Sequence, residues 1–275
     1  ALADVDFDGD VDLVVGERSG LVEVYENNEG NYDKVAFNTL DIDAMEGSPA
    51  LEFVDYDGDG DMDLFAGTDI GSLVYFENQD GSFVTTELSE FAGLDLEIID
   101  AVASFGDYDN DGDFDLVVGS YSDPMILYQN DAGSYELVDS LANPFFRLSE
   151  EDAQAPELVD IDGDGDLDLL IGNKYGTLEY FVNNEGVYTA ATENPFADIE
   201  VASYSKPVFV DIDTDGDMDL ILGTSSYFGA IEVYLNDDGA FTAMADEDNP
   251  FASFNFFDES SPAFSDLDGD GDMYV

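Results

Sequence analysis

Short apolar runs alternate with densely polar ones along this chain, and the same alternation keeps returning. The run "DLVVG" recurs as "DLFAG", "DLVVG" again, "DLLIG" and "DLILG". Each is only a few residues long, rich in branched side chains and closed by Gly, which predicts a buried β-strand. A second set follows: "VEVYEN", "LVYFEN", "MILYQN", "LEYFVN" and "IEVYLN". Each of these ends on Asn and runs into a Gly turn, as in "NNEGNY", "NQDGSF", "NDAGSY", "NNEGVY" and "NDDGAF". Asn and Gly both tolerate the positive φ that a tight hairpin needs. The second unit shows the whole order: "ALEFVD", an acidic loop, "MDLFAG" ended by Gly67, the turn "TDIGS", "LVYFEN", the turn "QDG", and "SFVTTEL". That order predicts four strands, and nowhere does a helical period compete with it.

The acidic loop carries the pattern D-x-D-x-D-G-D-x-D. It begins at Asp4, Asp55, Asp107, Asp160 and Asp211, and starts again at Asp266, with steps of 51, 52, 53, 51 and 55 residues. Four short strands repeated at this period predict an all-β chain, a β-propeller of four-stranded blades in a single domain. The divisions fall at 1–48, 49–100, 101–155, 156–206 and 207–261, with a partial sixth repeat at 262–275. Either five blades close with an added C-terminal strand, or the chain belongs to a longer propeller. The second is favoured, because a lone first strand has no evident place in a closed ring of five.

Crowded carboxylates repel: two unit charges about 4 Å apart cost roughly 4 kcal/mol at an effective dielectric near 20. A cation removes that cost. In the acidic loop, side chains at places 1, 3 and 5 can converge, Gly at place 6 permits the sharp turn, place 7 can lend its carbonyl, and Asp at place 9 closes the shell. All-oxygen ligation of this kind suits calcium, where magnesium would demand a stricter octahedron. The loop opens like an EF-hand but departs from it at place 12, which is Val15, Ala66, Val118, Ile171 or Leu222 within a strand.

The run "DxDxDGDxDLxxG" resembles the FG-GAP and VCBS repeats of integrin-like propellers and secreted bacterial proteins. The resemblance implies a calcium between the first and second strands of each blade, about one per complete repeat. Its ligands would be Asp4, Asp6, Asp8 and Asp12; Asp55, Asp57, Asp59 and Asp63; Asp107, Asp109, Asp111 and Asp115; Asp160, Asp162, Asp164 and Asp168; and Asp211, Asp213, Asp215 and Asp219. The place 7 residues Asp10, Asp61, Asp113, Asp166 and Asp217 belong to the same metal set. The Phe-Gly pair occurs at this place only as Phe105-Gly106, and Gly-Ala-Pro is absent, so the likeness is nearer to the bacterial variants. In the sixth loop Tyr274 stands where the closing Asp belongs, which leaves Asp266, Asp268 and Asp270 as a weaker set or one completed from elsewhere.

Composition narrows the function. Lys and Arg total 5 against 67 Asp and Glu, a formal charge of -62, which disfavours nucleic acid and anionic membrane surfaces as partners. With 44% hydrophobic residues the chain can still bury a core. Cys and His are absent, which removes disulfides, thiolate or imidazole metal sites and His-based acid–base catalysis. No apolar run is long enough to insert in a membrane, and no signal peptide is visible in a chain that opens inside a repeat.

On the face opposite the acidic loops the strand order places Arg18, Arg147, Lys174 and Lys206 with Tyr121, Tyr175, Tyr227 and Phe228. Cations beside aromatics there suit a glycan or a peptide. The crossovers "NPFF", "NPFA" and "NPFA", from Asn143, Asn194 and Asn249, read as turn locks and inter-blade plugs. The expectation is a secreted or cell-surface recognition and adhesion module with no catalytic residues, binding a glycan or an extracellular protein. Two alternatives stand beside it. One is a structural subunit whose sixth segment pairs between chains in an assembly; the other, implied by the resemblance, is the propeller of a polysaccharide lyase, for which Lys174-Tyr175 is the nearest candidate cluster.

Overall fold

In the computed structural model of the chain the described residues are 2–3, 12–16, 22–28, 31–34, 49–59, 62–68, 73–79, 82–85, 100–146, 148–149, 152–213, 215–224 and 231–252. Among them the strands form five four-stranded antiparallel sheets, each taken up in sequence order. The first holds β1 (Leu2–Ala3), β2 (Asp12–Gly16), β3 (Val22–Asn28) and β4 (Asn31–Lys34). The second holds β5 (Ala50–Val54), β6 (Asp63–Gly67), β7 (Leu73–Gln79) and β8 (Ser82–Thr85). In the third are β9 (Val102–Gly106), β10 (Asp115–Gly119), β11 (Ile126–Asp131) and β12 (Ser134–Leu137). The fourth is built from β13 (Ala155–Val159), β14 (Asp168–Gly172), β15 (Leu178–Asn184) and β16 (Val187–Ala190). The fifth comprises β17 (Lys206–Val210), β18 (Asp219–Gly223), β19 (Ile231–Asp237) and β20 (Ala240–Ala243). The chain is therefore an all-β propeller of four-stranded sheets.

Two of the repeat divisions shift by a residue. Strands β13 and β17 begin at Ala155 and Lys206, because the ladder with the following strand runs its full length and pairs Ala155 with Gly172 and Lys206 with Gly223.

The second strand of each sheet from the second to the fifth is buried along its whole length. It lies between two strands of its own sheet and is covered on both faces by neighbouring sheets, which is why the sequence after its opening Asp is a continuous apolar run with no alternation. The Gly that ends it has a packing duty. A Cβ on Gly67 would lie 2.1 Å from the Ala101 carbonyl oxygen, and one on Gly172 would lie 2.0 Å from that of Ser205. Each is the point where the chain entering the next sheet crosses the end of the last.

Five apolar clusters join consecutive sheets. Val14 and Val24 of the first sheet pack with Leu51, Phe53 and Phe76 of the second. Phe65 meets Leu116 and Tyr128, Val117 meets Leu169 and Phe181, and Leu170 meets Phe209 and Leu220. The fifth sheet packs back on the first, through Val208, Ile221 and Val233 against Leu13, Val15 and Tyr25. The fifth described sheet thus buries apolar side chains against the first, as each earlier sheet does against the next. The sixth acidic segment, with Asp266, Asp268 and Asp270, lies outside the described residues.

The first strands meet around the inside of the ring. Three of them pass a side chain to the next first strand's backbone: Glu52 accepts from the Phe105 N–H, the Ser104 hydroxyl oxygen accepts from Leu158 N–H at 3.1 Å, and Glu157 accepts from Phe209 N–H. The crossover plugs fill the gaps further out. Phe145, Phe196 and Phe251 are essentially buried, each with its backbone N–H donating to the side chain of the preceding Asn143, Asn194 or Asn249.

Candidate metal centres

The loop between the first and second strands is folded by its own first carboxylate. Asp107 accepts from the Asp111 and Gly112 N–H groups, Asp211 from Asp215 and Gly216, and Asp160 from Gly163, Asp164 and Gly165. Gly at place 6 has φ +97° at Gly112 and +98° at Gly216, the left-handed turn that disfavours any side chain.

These turns bring carboxylates together in four sheets. Oxygen atoms of Asp55, Asp57 and Asp63 lie within 4.8 Å of one another, as do those of Asp107, Asp109 and Asp115; of Asp160, Asp162 and Asp164; and of Asp211, Asp213 and Asp219. Places 1 and 3 enter every set, joined by place 9 in three sheets and by place 5 in the fourth. The donors are all oxygen and all anionic, which fits a hard divalent cation of flexible coordination. The structure supports this fit with its own electrostatics. Burial raises the pKa of Asp57, Asp109, Asp162 and Asp213, and the neighbouring carboxylates push in the same direction.

Place 9 is the structural centre of the loop. Asp63, Asp115, Asp168 and Asp219 are at most 1% exposed. One oxygen accepts from the N–H of Asn78, Asn130, Asn183 or Asn236 at 2.7 to 2.8 Å. The other accepts from the N–H at place 2, at 3.2 Å for Tyr56 and 2.9 Å for Ile212. Tyr75 and Tyr180 add hydroxyl donors to Asp63 and Asp168. Burial dominates even so, pushing Asp63 and Asp219 up to about 6 and Asp115 up to about 7.

Place 7 does something different. The side chains of Asp113, Asp166 and Asp217 accept from the N–H of Ala132, Glu185 and Asp238, across the hairpin that joins the third and fourth strands. The Asn before that hairpin is a functional residue whose part the sequence understated. Positive φ falls on Ala132, Glu185 and Asp238 and on the glycines after them, not on the Asn. Asn130, Asn183 and Asn236 instead donate to the carbonyls of Phe114, Leu167 and Met218 and accept from the hairpin glycine. The fixed Asn-x-x-Gly spacing carried that signal.

Of the other candidates, Asp59, Asp111 and Asp215 lie in described loops beyond the three converging oxygens. Asp4, Asp6, Asp8, Asp10, Asp61 and the side chain of Asp12 lie outside the described residues, as do Arg18, Arg147, Tyr227 and Phe228. On the opposite face, Lys174 pairs with Asp152 and sits 4.9 Å over the Tyr175 ring and 6.0 Å from that of Tyr121. The hydrogen bond to Asp152 raises the Lys174 pKa. Lys206 lines a small cavity with Asp100, Gln154 and Tyr204. Of the four described face residues, Tyr121, Lys174 and Tyr175 therefore meet.

Among the described residues no helix is long and apolar enough to cross a membrane. No curated protein matches the chain. Solved structures share the fold: an endo-1,4-β-xylanase of Bacteroides thetaiotaomicron, 14% identical, covers 96% of each chain at a TM-score of 0.52. An auxiliary nutrient-binding protein of Bacteroides ovatus, 12% identical, covers 96% of this chain and 63% of its own at 0.51. An Agrocybe aegerita lectin that recognises non-reducing terminal N-acetylglucosamine is 19% identical over 90% of this chain and 66% of its own, at 0.49. The chain thus spans less than two thirds of the length of two of these three.

The FG-GAP-like repeat matches at four places, residues 4–66, 55–118, 160–222 and 211–275, against the five complete repeats and a part expected. Each match runs from one acidic loop to the next, so neighbouring matches overlap, and residues 119–159 fall in none. Together they take in most of the sequence, and the chain belongs to the FG-GAP-like repeat family.

Proposed function

We propose that this protein is a calcium-stabilised recognition module, secreted or held at the cell surface, that binds a glycan or an extracellular protein and catalyses no reaction. In this reading five complete repeats each hold one calcium, with place 7 contributing its carbonyl, and the sixth acidic segment is an incomplete site. The observation that carries it is the return of one carboxylate arrangement in four sheets with different surroundings. A site repeated in every blade serves the blades, whereas a catalytic centre gathers its groups at a single place. The fold alone does not choose, since it is shared by a protein described as a xylanase and one described as a nutrient-binding protein. For the ligand face, the meeting of Lys174 with Tyr175 and Tyr121 supports the side opposite the acidic loops.

Calcium counted by native mass spectrometry, with melting before and after chelation, tests the proposal. Four or more ions per chain and a large fall in melting temperature are expected. At free calcium about 100 times the dissociation constant, each site would contribute about 2.7 kcal/mol. A chain that carries no calcium and melts identically in chelator overturns it.

A further inference from the structure

We propose that the groove between the fourth and fifth sheets is a glycan site, which takes the apolar face of an uncharged sugar ring. The proposal rests on the recognition reading above, though not on its choice of face. A cavity of about 1010 Å³ opens there beside the acidic loops, within the range of small-ligand sites. Half-buried Phe241 lines it with the nearly covered Tyr180 and Phe209, as do Glu193, Asn194 and Asp238 and the loop carboxylates Asp160, Asp162 and Asp217.

The chain itself shows why this interface is open. At place 2 of the acidic loop the second and third sheets carry Tyr56 and Tyr108. Tyr56 reaches across to the third sheet and stacks on Tyr135, centroids 5.6 Å apart and planes 24° from parallel. Tyr108 lies edge-on to the plug Phe145 at 5.8 Å, which in turn meets Tyr188 at 4.8 Å. In the fourth sheet place 2 is Ile161. Its backbone is held as theirs is, with the N–H donating to the place 9 carboxylate. The side chain starts from the same point but is a ring shorter. Phe241 holds the register position in β20 that Tyr135 holds in β12, paired with the third strand one residue after the hairpin-closing pair. Phe241 leans on Phe196 and Phe209, at 4.7 and 6.1 Å, and no ring from the fourth sheet's acidic loop packs on it as Tyr56 packs on Tyr135.

A ligand ring would take the place that a tyrosine takes two sheets earlier. Its chemistry follows from the walls. Carboxylates and amides stand around the half-buried Phe241 ring, and among the described residues no Lys or Arg lines the cavity. Such walls accept hydrogen bonds from hydroxyl groups and repel anions, so an uncharged polyhydroxylated ring fits and an acidic sugar does not. Ile161 is then the residue that decides whether the site exists.

The test is calorimetry of calcium-loaded protein with cellohexaose, xylohexaose and chitohexaose, and with polygalacturonate as the acidic counterpart, on the wild type and on Ile161→Tyr. The proposal expects the wild type to bind at least one neutral oligosaccharide and Ile161→Tyr to lose it, with calcium content and melting retained. Equal binding by Ile161→Tyr would overturn the site while leaving the recognition reading intact. Preference for polygalacturonate would overturn the ligand class. No binding of any neutral oligosaccharide would overturn the proposal, and a protein ligand for the module would then be judged separately. Should Ile161→Tyr not fold, amide shifts on titrating the wild type with the same sugars decide: movement at Asn194 and Asp238 supports the groove, and movement confined to Tyr175 and Tyr121 overturns it.

Discussion

Asp168 shows how two duties separate at a single residue. It is fully buried, and it accepts from Asn183 N–H at 2.8 Å, from Tyr180 Oη at 2.7 Å and from Ile161 N–H at 3.3 Å. Asp162, two residues into the loop, is exposed and its main part is in the converging set. Asp168→Asn would turn an amide donor toward one of these donors and strand a buried group, which costs about 1–3 kcal/mol. Denaturant titration should therefore find Asp168→Asn destabilised by about 2 kcal/mol both in calcium and in chelator. Asp162→Asn should be destabilised only in calcium, because what it loses is ligation. If the two variants behave alike in chelator, the division of labour between places 3 and 9 is wrong.

At the scale of the element, the second strand and the loop before it were the most legible parts of the sequence. After its opening Asp168, "DLLIG" is apolar because β14 is buried throughout, and Gly at place 6 recurs because the turn needs positive φ there. What the strand's last residue does could not be read from periodicity, because its reason lies in the next sheet. Gly172→Ala would press a Cβ 2.0 Å from the Ser205 carbonyl oxygen, a backbone atom that cannot swing aside. Gly112 has φ +97° but nothing within 4 Å of its Cβ position. Overpacking costs typically about 1–3 kcal/mol and a left-handed non-Gly residue about 1 kcal/mol. Gly172→Ala is expected to lower stability by about 3 kcal/mol and Gly112→Ala by about 1 kcal/mol, measured as midpoints of chemical denaturation. The Asn at the end of the third strand was legible as a spacing but not as a partner. Its amide bonds span from one hairpin to another loop, and no local pattern prints that.

The packing of the fifth sheet on the first was legible least of all. Repeats in a sequence announce how each sheet is built, while the packing of Val208 and Val233 on Leu13 and Val15 depends on how much each interface turns the next. Nor did the strand "ALEFVD" single out Glu52, which the fold carries to the inside of the ring with Glu157. Burial pushes Glu52 up to about 8 and raises Glu157, whose pKa the charge of Glu52 raises further; the N–H groups of Phe105 and Phe209 oppose this only in part. A folded pKa above the ordinary carboxyl value means that the native state keeps a proton the unfolded chain has released. Stability contributed by this pair is therefore present below the ordinary glutamate range and falls as pH rises toward about 8, beyond which Glu52 adds no further slope. The buried Asp63, Asp115 and Asp219 would add a slope of the same sign in metal-free protein, so the measurement belongs in saturating calcium, which favours their ionised forms. Under those conditions unfolding free energy measured from pH 5 to pH 9 should decline for the wild type, and should decline less for Glu157→Gln, which removes the carboxyl group whose pKa burial and the charge of Glu52 raise. Identical slopes would mean that burial and the charge of Glu52 do not raise the Glu157 pKa, and would remove the inner carboxylates from any account of how the propeller responds to pH.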